Sequence, residues 1–208
     1  MKTTRRSSAM RQVELTDAAL HLIATHGIAA LSTRSLAAHV GLSTGAIFRH
    51  FATLEDLLVA VVASVAPMLA ETLPAPTLPA RERLVQFIAA RSEAVGKRVG
   101  ILRLMVSDQF TLALPPRAVT MLASYVEQTR GFVLGCIREG QATGEFRRDI
   151  DAVTLGIILM GTMQMLALST ANRAATLQSV RAGIITLLEP PAIQPVSAKS
   201  AKPKKKSL

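Results

Sequence analysis

From Ser43 to Phe51 the chain reads STGAIFRHF, a segment whose residue types suit contact with a polyanion. If it is helical, Ile47 and Phe51 lie one turn apart and face inward. Thr44, Gly45, Phe48, Arg49 and His50 are then left on the other side. Arginine and histidine pair with phosphate, and an exposed phenylalanine packs on sugar or meets a thymine methyl. The plain alternative is an ordinary helical hairpin with a stray surface Phe.

The flanking residues say what would hold that segment. Ser32 suits an N-cap, its hydroxyl taking the amide of Arg34 or Ser35. Leu36, Ala37 and Val40 then form a narrow apolar stripe. Gly41 stands at the corner where the chain needs positive φ, Leu42 plugs the corner, and Ser43 caps the next helix. Upstream, Leu15, Ala18, Ala19, Leu22 and Ile23 recur at helical spacing and stop at Gly27, which predicts a helix from about Arg11 to His26. Downstream, Thr53 and Asp56 form a capping-box-like pair that opens a long helix. The spacing therefore predicts a three-helix unit containing a helix–turn–helix.

From Ala18 to Leu58 the order and spacing of these residues resemble the TetR family of bacterial transcriptional regulators. The segments DAALHLIATHGI, STRSLAAHVGLSTGAIFRHF and TLEDLL carry the resemblance. It implies N-terminal helices that bind operator DNA as a dimer, and later helices that dimerise and enclose an effector pocket. By position, Thr44, Gly45, Ala46, Phe48, Arg49 and His50 fall on the family's DNA-facing sites. With Ser32, Arg34 and Ser43 they make the expected contact set. Two positions depart from the family: Phe48 stands where tyrosine is usual, and Leu54 where lysine is usual. Each departure removes a bond to phosphate, and a hydrogen bond to a charged group is worth about 1.5–3 kcal/mol.

The charge distribution is uneven. The net charge is +10; residues 1–51 carry six Lys/Arg against two acids, and residues 190–208 carry five lysines and no acid. The long middle of the chain is nearly neutral. A basic surface gains affinity for DNA by counterion release, which a neutral helical body has no need of. Arg5 and Arg6 are placed to reach a minor groove or a phosphate, or simply to solubilise the terminus. The tail, rich in proline and then lysine, lacks apolar periodicity and is expected to be disordered, adding non-specific DNA affinity. The expected division is a DNA-binding domain over 1–52 with its basic arm, a helical effector-binding and dimerisation domain over 53–189, and the tail over 190–208.

The lone Cys136 rules out an intrachain disulfide and suits a reducing, cytoplasmic setting. Its apolar neighbours suggest a small core residue. His21, His26, His39 and His50 have no cysteine or carboxylate at ligand spacing, so no metal or other cofactor is expected. The basic N-terminus is not followed by the apolar core of a secretory signal.

Ala152–Asn172 holds 21 uncharged residues, long enough to cross a bilayer. Its interspersed Thr, Gln, Ser and Asn favour a helix buried in protein instead, and no membrane partner is expected. A long helix is predicted from Pro116 to about Gln141. Val119, Leu122, Val126, Val133 and Ile137 form a seam on it, and Gly131 and Gly135 allow a close crossing. With Ile158 and Met165 these residues form the expected homodimer interface. The link GEFRRDID resembles the hinge between the family's last two large helices. Further helices are predicted from Thr53 to about Leu73, from Pro79 to about Arg98, and around Ile101–Ser107. Phe87, Met105, Phe110, Met121, Met160 and Met163 are candidates to line a cavity for a small apolar effector, or are simple core. Arg103, Asp108 and Gln109 are candidates to orient its polar end.

No nucleophile with its base, no carboxylate pair and no phosphate-cradling glycine loop is present, so no enzymatic activity is expected. The reading is an all-α, dimeric DNA-binding regulator. Double-stranded DNA bearing a near-palindromic operator is its partner, and a small lipophilic ligand releases it. The alternative is an architectural or nucleoid-type DNA binder without an effector.

Overall fold

The computed structural model describes residues 7–97, 107–168 and 173–191; they are helices joined by turns, with no strand among them. Arg5, Arg6, Arg103, Met105 and the lysine-rich tail lie outside the described residues.

Helix α1 spans Ser8–His26, opening nearly a turn before Arg11 because the Met10 amide donates to Ser7 Oγ at 3.3 Å. A short 3-10 turn, Ile28–Ala30, leads into α2, Thr33–Val40, and α3, Thr44–Phe48. Helix α4, Leu54–Ala63, opens on the predicted box: the Asp56 amide donates to Thr53 Oγ1 at 3.0 Å and the Thr53 amide to Asp56 Oδ2 at 3.1 Å. The helix predicted to run on to Leu73 instead stops at Ser64 and restarts as α5, Ala66–Glu71. Pro67 is the cause, since it has no amide for the Ala63 carbonyl and its ring crowds that oxygen.

Helix α6 spans Ala80–Lys97, with Pro79 just before it rather than at its first position. Most of the segment predicted as a helix around Ile101–Ser107 lies outside the described residues. Ser107 itself caps α7, Asp108–Ala113, which the sequence reading missed. Helix α8 spans Pro116–Thr143, α9 spans Ala152–Leu168 and α10 spans Arg173–Leu188. The GEFRRDID link therefore joins α8 to α9, and a further large helix follows. That corrects the assignment of α8 and α9 as the last pair. No described helix is long and apolar enough to cross a membrane.

These helices bury two cores. The first gathers Leu15, Ile23, Leu36, Ile47 and Phe51 from the N-terminal helices with Leu57 and Val61 of α4, and also Phe110, Ala118 and Leu122. The second gathers Leu84, Phe87 and Ile88 of α6 with Ile137 of α8, Phe146, Leu155 and Leu159 of α9, and Leu188 of α10. At 28 residues α8 is roughly 42 Å long, and its two ends lie in different cores. Core burial thus ties the N-terminal helices to the body beyond residue 52.

Packing explains two glycines of the body. A Cβ on Gly140 would come 2.1 Å from the Phe146 ring, which is 1 % exposed. A Cβ on Gly156 would meet Leu134 Cδ2 at 2.8 Å, so α8 and α9 approach closely there. Gly131 and Gly135, the predicted crossing, meet nothing within 4 Å in the protomer. Asp151 caps α9 by accepting the Val153 and Thr154 amides at 3.0 Å each, and its bonds to Thr154 hold its carboxyl below the usual carboxylate range. Cys136 is buried, and burial pushes its thiol up, away from the reactive thiolate.

Candidate nucleic-acid interface

The corner between α2 and α3 is assembled from short polar bonds. The Ser35 amide donates to Ser32 Oγ at 3.0 Å and the Ser32 amide to Ser35 Oγ at 2.9 Å, closing a reciprocal cap. Ser35 Oγ also donates to the Ala30 carbonyl at 2.7 Å, fixing the angle at which α2 leaves the preceding turn. Gly41 takes φ +68° and ψ +34°, and the Leu42 amide reaches back to the Ala37 carbonyl at 2.9 Å. This left-handed residue ends the helix with its carbonyls satisfied, and a side chain there would be strained. Ser43 Oγ then accepts the Ala46 amide at 3.2 Å and opens α3.

On α3 the two inward residues carry the attachment: Ile47 is 1 % exposed and Phe51 just beyond it 7 %. Ser43, Thr44, Gly45, Phe48 and Arg49 are exposed, and Ala46 and His50 are half-buried. Phe48 keeps 48 % of its surface in water although the core lies on the other side of the same short helix. A Cβ on Gly45 would meet nothing within 4 Å, and its backbone is not left-handed. Neither packing nor conformation within the protein calls for glycine there. The absent side chain leaves the α3 backbone open to close approach from outside. Arg34 is also exposed. Neither it nor Arg49 is ion-paired among the described residues, whereas Arg11 pairs with Glu14 at 2.7 Å.

His50 has a second role that the sequence did not suggest. Its carbonyl accepts from Gln12 Nε2 at 3.0 Å, and its Nδ1 lies 3.3 Å from Ser8 Oγ. The first turns of α1 are thereby latched to the end of α3. The Ser7 cap was the available signal, but without the fold it pointed to no neighbour. Leu54 packs partly buried against the first core, so it takes part in packing rather than reaching outward.

The described effector candidates divide between the two cores and the surface. Phe110 and Met121 belong with the first core, and Phe87 and Met163 with the second. Met160 lines a groove of about 290 Å³ between α8 and α9. Asp108 and Gln109 are exposed on α7, so they do not sit in the apolar surroundings expected. Helical periodicity marked these residues as inward but not towards which neighbour.

The predicted interface set also divides. Leu122 and Val133 are buried in the protomer's own cores, which removes both from a second copy's reach, and Val119 packs, half-buried, against the first. Val126, Gly131, Gly135, Ile158 and Met165 stay exposed. On α9, Ile158 and Met165 share their outward side with Val153 and Ile157, which are 40 % and 68 % exposed.

Residues 15–61 match the family described as Bacterial regulatory proteins, tetR family. No curated protein matches the sequence. Among solved structures, a tetR-family regulatory protein from Rhodococcus RHA1 is 19 % identical, with a TM-score of 0.75 over 86 % of this chain and 97 % of that one. The ketosteroid transcriptional regulator KstR2 of Mycobacterium tuberculosis is 20 % identical, with a TM-score of 0.72 over 86 % of this chain and 95 % of that one. AibR, solved in complex with isovaleryl coenzyme A and operator DNA, is 16 % identical, with a TM-score of 0.74 over 87 % of this chain and 99 % of that one. At these identities the likeness establishes the fold.

Proposed function

We propose that the chain, whose residues 15–61 match the tetR family of bacterial regulatory proteins, is a dimeric repressor released from a near-palindromic operator by a small effector. The observation that carries the reading is the outward face of α3. Phe48 and Arg49 stand exposed on a helix whose other side is locked into the core, beside a glycine that the protein itself does not need. A helix so placed presents its backbone and side chains to a major groove, with Arg34 and Arg49 available for phosphate or guanine.

Dimerisation supports the same reading. Helix α9 carries no charged residue and turns Val153, Ile157, Ile158 and Met165 to water along one side. Such a row is costly in a monomer and marks a protein contact. Two heads joined there read two half-sites roughly 34–36 Å apart, or a multiple of that. The structure of AibR in complex with isovaleryl coenzyme A and operator DNA gives precedent on this fold for binding both a small ligand and DNA. In this chain α4 and α8 meet within the first core, so a ligand that moves α8 also tilts the reading head. The ligand acts only through its differential affinity for the two arrangements.

Selection of bound fragments from random DNA tests the proposal. A repressor enriches one near-palindrome by orders of magnitude at physiological salt. Recovery of unrelated sequences, with binding that falls away uniformly with salt, would replace it with an architectural binder held largely by the lysine-rich tail.

A further inference from the structure

At the seam between the two cores lies a cation with no acid paired to it among the described residues. Arg91 of α6 is 8 % exposed, and burial pulls its guanidinium down to about 10. Nη2 donates to Thr129 Oγ1 at 3.3 Å, the guanidinium carbon stands 5.1 Å from the centre of the Phe87 ring, and Nε has no acceptor. Neither contact brings negative charge. The contrast with other arginines of the body is direct: Arg81, Arg83 and Arg147 pair with Glu189, Glu139 and Asp149. An unpaired buried charge is among the most expensive groups a protein can hold, and replacing it with an apolar residue of similar volume often stabilises the fold. Stability alone therefore gives no reason for arginine here.

The surroundings supply space and leverage. Thr129 lies on α8 between Leu122 of the first core and Val133 of the second. A cleft of about 460 Å³ opens between α5 and α6, lined in part by Pro67, Met68, Thr72, Ala90 and Ala94. Ala94 is three residues beyond Arg91 and so adjoins it on the helix surface. The cleft thus borders the turn that carries Arg91, whose own side chain lies behind the lining against Thr129 and Phe87. Two carboxylates also line it, Glu71 of α5 and Glu93 of α6; Glu93 lies two residues on and so roughly 200° around α6 from Arg91. The neighbouring Ser92 hydroxyl is likewise buried without a partner.

We propose that Arg91 is the anion-binding residue of the effector site, and that the effector is an apolar molecule bearing one anionic headgroup. The inference rests on the effector-responsive reading above. The headgroup occupies the free edge of the guanidinium, displaces or shares the Thr129 bond, and so couples ligand charge to the middle of α8.

The test is calorimetric titration of the full-length protein without DNA, using octanoate, octyl phosphate and the neutral 1-octanol. Wild type should bind at least one of the two anions about tenfold or more tightly than the alcohol, as expected for a charge-assisted bond. The tighter of the two identifies a carboxylate or a phosphate headgroup. Arg91→Met should abolish the preference while its unliganded melting temperature stays equal or rises, and Arg91→Lys should retain part of the preference. Equal binding of anions and alcohol by wild type, or undiminished anion binding by Arg91→Met, would overturn the proposal. So would a lower unliganded melting temperature in both variants, which marks a structural strut. Operator release is measured separately: anion binding without release leaves the Arg91 site standing and removes the repressor mechanism instead.

Discussion

Helices α3 and α9 both hold large apolar side chains in water, and they do so in opposite company. Phe48 stands on α3 beside Arg49, Thr44 and a glycine open to the outside. Val153, Ile157, Ile158 and Met165 stand on α9, which has no charge along its length. An exposed ring among cations and hydroxyls suits a polyanion, whose phosphates take the charge while its sugars and methyls take the ring. An exposed apolar row without charge suits another apolar row, because water is the only thing it has to lose. Exposure alone does not identify a partner; the chemistry beside the exposed group does.

The largest expected effect comes from charging the α9 face. Ile157→Asp should weaken dimerisation at least thirtyfold, about 2 kcal/mol or more for a central interface side chain, and light scattering at micromolar concentration should show a monomer. A persistent dimer would move the interface elsewhere. Next is Arg49→Ala, which should lower operator affinity about tenfold to a hundredfold, from about 1.5–3 kcal/mol for a bond to a charged group. Its melting temperature should be unchanged, because Arg49 has no ion-pair partner among the described residues. Gel-shift titration beside a thermal melt separates the two quantities.

Gly45→Ala sharpens the contrast between packing inside and contact outside. Alanine adds a methyl where nothing lies within 4 Å, and it favours the helix by about 1 kcal/mol in general terms. Stability should therefore hold or rise while DNA affinity falls several-fold. Equal affinity in the gel shift would mean that nothing approaches the α3 backbone there. The smallest change is deletion of residues 192–208. Removing five lysines should reduce the salt slope of binding by up to about 4.5 if each meets a phosphate. The preferred site in fragment selection should not change, and a new preference would give the tail a reading role.

Much of the head was legible because its signals are local. The Ser32 and Thr53 caps, the left-handed Gly41 and the inward pair Ile47 and Phe51 each depend on residues within a few positions, where hydrogen-bond geometry and helical period suffice. The body was less legible. Pro67 was readable in principle as a helix break, but the apolar run around it read as one helix. Val180, Ile184 and Leu188 repeat at helical spacing in α10, yet the uncharged run before them drew attention to α9 alone. The seam on α8 misled for a different reason. Its residues do recur on apolar stripes, but a 28-residue helix turns different stripes towards different neighbours along its length.

By itself the sequence determined an all-helical chain with a capped three-helix head, and which side of α3 faces inward, because caps, turns and periodicity act over one or two turns. The tertiary structure decided what no local rule reaches. It buried Leu122 and Val133 inside the protomer, left Val153 and Ile157 outside, and parted Phe110 and Met121 from Phe87 and Met163 between two cores. It also placed Arg91 in the interior without an acid beside it. Those outcomes depend on which helices meet across long stretches of chain, and burial and charge compensation are properties of that meeting rather than of any segment.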